Sequence, residues 1–488
     1  MIGWLKNLLK DSLVYGIGFG VSRFLQVLVL PIIARSLSLS EYGYYSNYVI
    51  FYTIAGGVFV LGLDGSVARF FYDSEEKSYH RKIFSISFFC ILLTSIVCVS
   101  AFSFFPEELL RVINVPEAYK GALPYVLYTI PALVLNNFLL SWFKWRRQRT
   151  FFLVNSIGSV LLLLLPLLLV RPISFLFVFK IIFFSQVVIA FVSLLLASDY
   201  IRMVFDKPLF IAMLKYGFPW MLIFFLGLSR SYIDRFFLTR YLNDDLYGVY
   251  NFSARISTLL SLVLTAFDMS FMPLAFSIWS KEGAAIFFAR LQSAYTLLIS
   301  TTACFIAIIS PVVIRVLGGI KYEGAEKILP FLLFSAIPLS LINFSSLGTL
   351  YAKKSFLNTV TLLVGFSVVL VLNIILTPTY LQYGAVNASI IGHILITATG
   401  YYFSQKYYKI SFNFRKDALI FLFFLILSIL SVQVNISANI YQDIALKLTI
   451  LIAVTAFIFI FFFKNEYRKI LSLIKNLRYV SISRNAGL

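Results

Sequence analysis

The chain is poor in charge, poorer still in acid, and nearly without cysteine and histidine. Only 13% of its 488 residues are charged, 41 of them Lys or Arg and 21 Asp or Glu. Soluble domains carry about 25% charged residues, so a soluble fold is excluded. An apolar content of 60% excludes disorder. The three cysteines, Cys90, Cys98 and Cys304, all fall inside apolar runs, so neither a disulfide framework nor a zinc motif is available. Two histidines are too few for a histidine metal cluster, and no metal site is expected. No G-x-x-x-x-G-K-[ST] occurs, so no ATP-driven motor is encoded. No cofactor is expected. The first long apolar stretch, 13–34, is too long for a cleaved leader and has no cleavage pattern, so it is expected to remain as a span.

What the chain has instead is long apolar runs. A helix needs about 20 apolar residues to cross a ~30 Å hydrocarbon core. Transmembrane strands would show short alternating segments, and runs such as 151–170 and 418–430 do not alternate. The fold class is therefore an all-α integral membrane protein. Fourteen transmembrane helices are expected, near 12–34, 42–63, 83–105, 121–143, 151–170, 173–197, 213–238, 247–272, 291–314, 329–350, 357–376, 381–403, 418–435 and 444–463. Only Arg171 and Pro172 separate the fifth from the sixth.

The formal charge of +20 is large for so few charges. With the N-terminus in the cytoplasm, 27 cations fall in cytoplasmic segments, 8 in outer loops and 6 within or beside spans. Cytoplasmic loops of membrane proteins are rich in Lys and Arg, so this split sets both termini inside. It makes the bulk charge a record of topology rather than a nucleic-acid footprint. The basic face suits anionic membrane lipids. Met1–Lys10, with Trp4 and Leu5 beside Lys6 and Lys10, reads as a short interfacial helix. The longest outer loop, 106–120, is too small for a catalytic domain, so the chain is not expected to be an enzyme.

An internal repeat is visible. Tyr15-Gly16 recurs as Tyr216-Gly217, Tyr42-Gly43-Tyr44-Tyr45 as Tyr247-Gly248-Val249-Tyr250, and Asp64 as Asp268, at offsets of 201, 205 and 204 residues. Six spans separate the copies. An even number makes the repeat parallel, which implies two six-helix lobes related by an axis along the membrane normal. The expected division is an N-terminal lobe at 1–205, a C-terminal lobe at 206–410, two extra helices at 411–465 and a basic cytoplasmic tail at 466–488.

Ionisable residues near mid-bilayer cost roughly 2.5–3.5 kcal/mol each on insertion scales, and they normally face a cavity or a partner. Arg23 lies in the first span on a face shared with Gly16 and Gln26. Lys180 lies in the sixth, Arg230, Asp234 and Arg235 in the seventh, and Arg255 in the eighth. Arg230 and Asp234 are i,i+4 neighbours and can pair; Arg235 points about 100° away and is left over. Cations outnumber acids in the spans, which points to a cationic cavity receiving an anionic group. Arg23, Arg255, Arg235 and Lys180 are the candidates for binding it. Arg230 and Asp234 are ion-pair or coupling candidates. For each, a structural ion pair or a snorkelling side chain is the competing reading.

Six plus six plus two spans, a basic inner face and an Arg in the first span together resemble the polysaccharide biosynthesis (Wzx-type) flippases. That family sits in the multidrug/oligosaccharidyl-lipid/polysaccharide exporter superfamily. Lys215-Tyr216-Gly217-Phe218-Pro219, Asp234-Arg235-Phe236-Phe237 and Tyr247-Gly248-Val249-Tyr250 look like its seventh and eighth spans. The resemblance implies translocation of undecaprenyl-pyrophosphate-linked oligosaccharide repeat units, as for O-antigen or capsule, across a bacterial cytoplasmic (inner) membrane. It implies alternating access by two lobes, coupling to a proton or sodium gradient, and partnership with the polymerase and chain-length machinery of the same pathway. A multidrug/cation antiporter, a lipid II flippase and an integral-membrane glycan transferase or polymerase are the alternatives.

Overall fold

The computed structural model describes residues 2–354 and 356–463, and among these it is helix and connecting turn without strand. The basic tail expected at 466–488 lies outside the described residues, as do the side chains of Met1–Lys10 on which an interfacial face would depend. The described helices are α1 (Ile2–Ser36), α2 (Leu39–Phe59), α3 (Leu63–Phe70), α4 (Lys77–Phe104), α5 (Pro106–Val112), α6 (Leu123–Trp145), α7 (Arg149–Leu169), α8 (Phe175–Ala197) and α9 (Lys207–Tyr241). They continue with α10 (Asp244–Ser257), α11 (Leu260–Ile278), α12 (Ala284–Leu317), α13 (Ala325–Ser340), α14 (Ile342–Ser345), α15 (Leu347–Tyr351), α16 (Phe356–Gln405), α17 (Phe414–Gln433) and α18 (Ile440–Phe462).

Twelve helical stretches among the described residues are long and apolar enough to cross a membrane. One of them, α16, has 50 residues, which would run about 75 Å if straight, over twice the hydrocarbon core. It breaks at Leu381, where φ is 51°, and so supplies two crossings. With α1, 35 residues long, the chain reaches the expected fourteen. The narrow break between the fifth and sixth spans is also found: α7 ends at Leu169 and α8 begins at Phe175. The chain is a multi-pass membrane protein.

Helix starts follow local chemistry. Ser38 accepts from the Glu41 backbone N–H while Glu41 reaches back to Ser38, a capping box that opens α2. Ser174, Asp206, Asn413 and Asn439 cap α8, α9, α17 and α18. The C-terminal end of α1 is satisfied from afar: Lys321 donates to the carbonyls of Leu37 and Arg35, where the helix dipole favours a cation. Burial lowers the Lys321 pKa from its ordinary value.

The helices gather into two compact units. The first holds residues up to Phe252 together with Ile314–Glu323 and Leu362–Ala388. Lipid tails are as apolar as Leu, so helices in a membrane associate by close packing and by polar groups bonded across helices. In this unit Asn136 donates to Gln186 at 2.8 Å between α6 and α8, and Asn155 to Ser193 at 2.9 Å between α7 and α8. Phe84, Phe138 and Trp142 form a fully buried aromatic cluster between α4 and α6. Between α2 and α3 the chain turns at Gly62, with φ 67°. A Cβ there would lie 2.0 Å from the Gly217 carbonyl oxygen, so a glycine pair lets α3 press onto α9. Ser66 donates to the Met213 carbonyl beside it, at 2.6 Å.

The second unit holds Ser253–Val313, Gly324–Thr361 and the described residues from Ser389 onward. Phe267, Tyr295 and Phe344 pack together at its centre. Asn343 donates to Asp268 at 2.5 Å. Lys447 is buried and pairs with Asp443 one turn before it.

Candidate functional site

The first unit contains a cluster of polar contacts where the start of α2 meets α9 and α10. Gly43 and Gly248, the glycines of the two Tyr-Gly copies, make the approach possible. A Cβ at Gly248 would lie 1.9 Å from the Leu39 carbonyl oxygen, and one at Gly43 would lie 2.9 Å from the Tyr247 ring. The repeat recognised in the sequence is therefore also a contact between its two copies. The tyrosines then reach across: Tyr44 donates to Asp244, and Tyr247 to the Asn47 side-chain oxygen. Asn47 passes the chain on to the Asn114 carbonyl at 3.2 Å.

Asp234 and Arg235 lie at the buried end of this network. The Asp234 Oδ2 accepts from the Tyr250 hydroxyl, and its Oδ1 faces Arg235 Nη1 at 3.4 Å. Arg235 Nε donates to Asn251 Oδ1 at 3.2 Å, and Nη1 to the Ser231 carbonyl at 2.8 Å. Its guanidinium also sits 5.1 Å from the Tyr232 ring centre, within cation–π range. The two side chains are 14% and 10% exposed. Arg235 is thus not left over as its helical angle suggested: a long guanidinium folds back to the carboxylate of its own neighbour. Its Nη2 has no hydrogen-bond partner among the described residues.

Beside this pair opens a cavity of about 500 Å³. Its walls are Ile50, Phe51, Ile54, Val58 and Phe59 of α2, Phe102 of α4, and Ile233 and Phe236 of α9. Asn47, Ser229, Tyr232, Arg235 and Thr239 add the polar groups. A cavity of this kind holds an apolar chain along its walls and a hydrogen-bond acceptor at Arg235.

The other candidates are placed differently. Arg23 is on the exposed face of α1 and donates to Gln26 at 3.3 Å, the neighbour expected on its stripe. Lys180, half-buried on α8, lies 5.7 Å from the Tyr125 ring centre. Arg230 is half-buried on α9, one turn before Asp234. Arg255 belongs to the second unit and is exposed. Among the described residues no three His, Cys, Asp or Glu side chains cluster as a metal site would require. Sequence reasoning missed Asn47, Tyr44 and Asp244 as members of one network. The signal for them was the Tyr-Gly pair itself, since a glycine beside tyrosines in a helix marks a close approach.

A family model described as polysaccharide biosynthesis protein matches residues 8–279, more than half of the chain. A curated relative from Haemophilus influenzae, described as an uncharacterized membrane protein, is 23% identical over 290 residues, covering 55% of this chain. The chain spans 65% of that relative's length. Among solved structures, the lipid II flippase MurJ in an inward closed conformation matches with a TM-score of 0.75 at 16% identity, over 93% of this chain and 100% of that one. An inward-facing multidrug resistance MATE family transporter of the MOP superfamily matches at 0.60 and 12% identity, over 84% and 95%. A MATE protein in a bent conformation matches at 0.56 and 13%, over 84% and 95%. At these identities the likeness is one of fold.

Proposed function

The chain belongs to the polysaccharide biosynthesis protein family, and we propose that it is a flippase for undecaprenyl-pyrophosphate-linked oligosaccharide repeat units, such as those of O-antigen or capsule. The observation that carries this reading is the family match, joined to a fold shared with a lipid II flippase. The cargo has a long isoprenoid chain, an anionic pyrophosphate and a polar glycan. The cavity beside Arg235 suits the first two: apolar walls for a chain, and an Nη2 donor for a phosphate oxygen. Asp234 matches the Arg235 charge, so Arg235 contributes geometry and hydrogen bonding more than net charge. Arg23, Arg255 and Lys180 are the further candidates for meeting the anionic group.

In this reading the lobes 1–205 and 206–410 alternate access to the two leaflets, driven by a proton or sodium gradient, with Arg230 and Asp234 as coupling candidates. The cation split supports cytoplasmic termini, and the family match supports a bacterial inner membrane. Its partners are the membrane lipids and the polymerase and chain-length machinery of the same pathway. The fold supports a second reading, lipid II as cargo. Depletion of the protein separates the readings. A lipid-linked oligosaccharide accumulating on the inner leaflet supports the proposal. Accumulation of lipid II alone selects the second reading, and loss of cationic-dye efflux with no lipid accumulating refutes both.

A further inference from the structure

The cavity beside Arg235 has a polar end and an apolar end. On α2 its lining residues form one stripe, from Asn47 through Phe51, Ile54 and Val58 to Phe59. From Asn47 to Phe59 a helix rises about 18 Å, and half of the hydrocarbon core is about 15 Å. On α9 the lining runs the opposite way, from Ser229 to Thr239. Asn114 ties the polar ends together. Its carbonyl accepts from the Asn47 side-chain amide at 3.2 Å, and its own side-chain amide donates to the Thr239 carbonyl at 3.0 Å. Arg235, the charged residue of the lining, is one turn before Thr239.

The rim at the polar end carries further cations. Arg240, exposed and next in sequence to Thr239, holds its guanidinium 4.7 Å from the ring centre of Phe236, a wall residue. Arg111, also exposed, directly precedes the wall residue Val112. Neither is in an ion pair among the described residues, and Glu107, on the same short helix as Arg111, is taken by Lys120 at 3.3 Å. The helix dipole favours a cation at the end of α9, but it does not account for Arg240 lying over a wall of the cavity.

The polarity of the cavity fits one leaflet. With the termini in the cytoplasm, as the cation split supports, the start of α2 and the end of α9 face outward. The cavity is then polar at the outer surface and apolar toward mid-bilayer. A lipid of the outer leaflet has that polarity, and a lipid of the inner leaflet has the reverse. A volume of about 500 Å³ spread over about 18 Å of helix gives a mean cross-section of about 28 Å². That width fits one hydrocarbon chain and not the pair carried by a phospholipid.

We propose that this cavity is the product site of the flippase. It receives the translocated lipid in the outer leaflet, with the pyrophosphate at Arg240 beside the Asn47–Thr239 end and a single polyprenyl chain running down to Phe59. A guanidinium suits that contact, because its fork meets phosphate oxygens in pairs. This assignment rests on the flippase reading above and adds the leaflet, the orientation of the cargo and Arg240 as a phosphate contact.

The test uses the purified full-length protein in nanodiscs with two photoactivatable probes. Both are polyprenyl pyrophosphates bearing one sugar. One carries a diazirine on the isoprene unit next to the pyrophosphate, the other at the far end of the chain. Mass spectrometry should find the first attached near Asn47 and Thr239, and the second near Val58 and Ser229. Arg240→Ala should weaken labelling by both probes about tenfold, the size of one charge-assisted hydrogen bond. Arg240→Lys should keep part of it, and both variants should melt with wild type because the side chain is exposed. Unlabelled polyprenyl pyrophosphate should displace the probes, and phosphatidylglycerol at the same concentration should not. Labelling in the reverse order, no labelling in the cavity, equal displacement by phosphatidylglycerol, or full labelling of Arg240→Ala overturns the proposal. Flipping of a lipid-linked oligosaccharide in proteoliposomes keeps the two readings apart. Flipping together with any of those four results leaves the flippase and removes this site, whereas absence of flipping removes the flippase whatever the labelling.

Discussion

Asp234 and Arg235 permit a double-mutant cycle that separates a structural pair from a cargo contact. At 3.4 Å and an effective dielectric of 20, the gross attraction of two unit charges is about 5 kcal/mol. Desolvation offsets much of it, leaving an expected coupling of about 1–3 kcal/mol. Asp234→Ala strands a mostly buried guanidinium and removes the acceptor of the Tyr250 hydroxyl, so it should cost about 3–5 kcal/mol. Arg235→Ala leaves a carboxylate that still accepts from Tyr250 and should cost less. The double variant should be more stable than the sum of the two losses predicts. Stability is read by unfolding in mixed SDS micelles and flipping by a proteoliposome assay with a lipid-linked oligosaccharide. If the two losses add to within about 0.5 kcal/mol, the pair is not coupled and the geometric argument fails. Flipping then decides the role of Nη2. The double variant is balanced in charge, so if it flips as well as wild type, Arg235 does not hold the cargo.

Three further outcomes follow from packing and topology. Gly248→Ala should destabilise by about 1–3 kcal/mol, because its Cβ would meet backbone at Leu39. Gly227→Ala, with nothing within 4 Å of its Cβ, should instead be neutral or gain up to about 1 kcal/mol of helix propensity, and a melting curve of each variant checks both. Ile54→Trp would fill the apolar cavity; it should reduce flipping of long-chain lipid-linked substrates with little change in melting temperature. Cys98 and Cys304 are buried at 7% and 0% exposure and should resist a polar maleimide until the protein is unfolded, whereas a Cys placed at Gln148 should label only from the cytoplasmic side.

The spans were legible because apolar length is a direct consequence of the bilayer, and even the break at Arg171–Pro172 is visible to that criterion. Partners were less legible, because they depend on side-chain reach and on which helices become neighbours. Spacing on one helix left Arg235 over, yet Arg235 meets Asp234 at 3.4 Å and Tyr250, from the next helix, donates to the same carboxylate. Asp417 was hidden by a single residue: the expected span began at 418, and Arg415-Lys416 made the preceding turn read as solvated. The helix starts at Phe414 instead, and carries the acid inside.

These partners change what the excess of intramembrane cations can be taken to mean. Lys447 has Asp443 and Arg235 has Asp234, so two of the six cations in or beside spans are matched locally. Asp417 adds an acid to the other side of the count. A surplus of positive charge therefore argues less strongly for an anionic cargo than it did when the residues were counted along the chain. The argument passes to geometry: Arg235, bonded to Asn251, Ser231 and Asp234, lines an apolar cavity, and under the proposed function that placement is what would bring it to a phosphate. Its net charge, already cancelled by its neighbour, selects nothing.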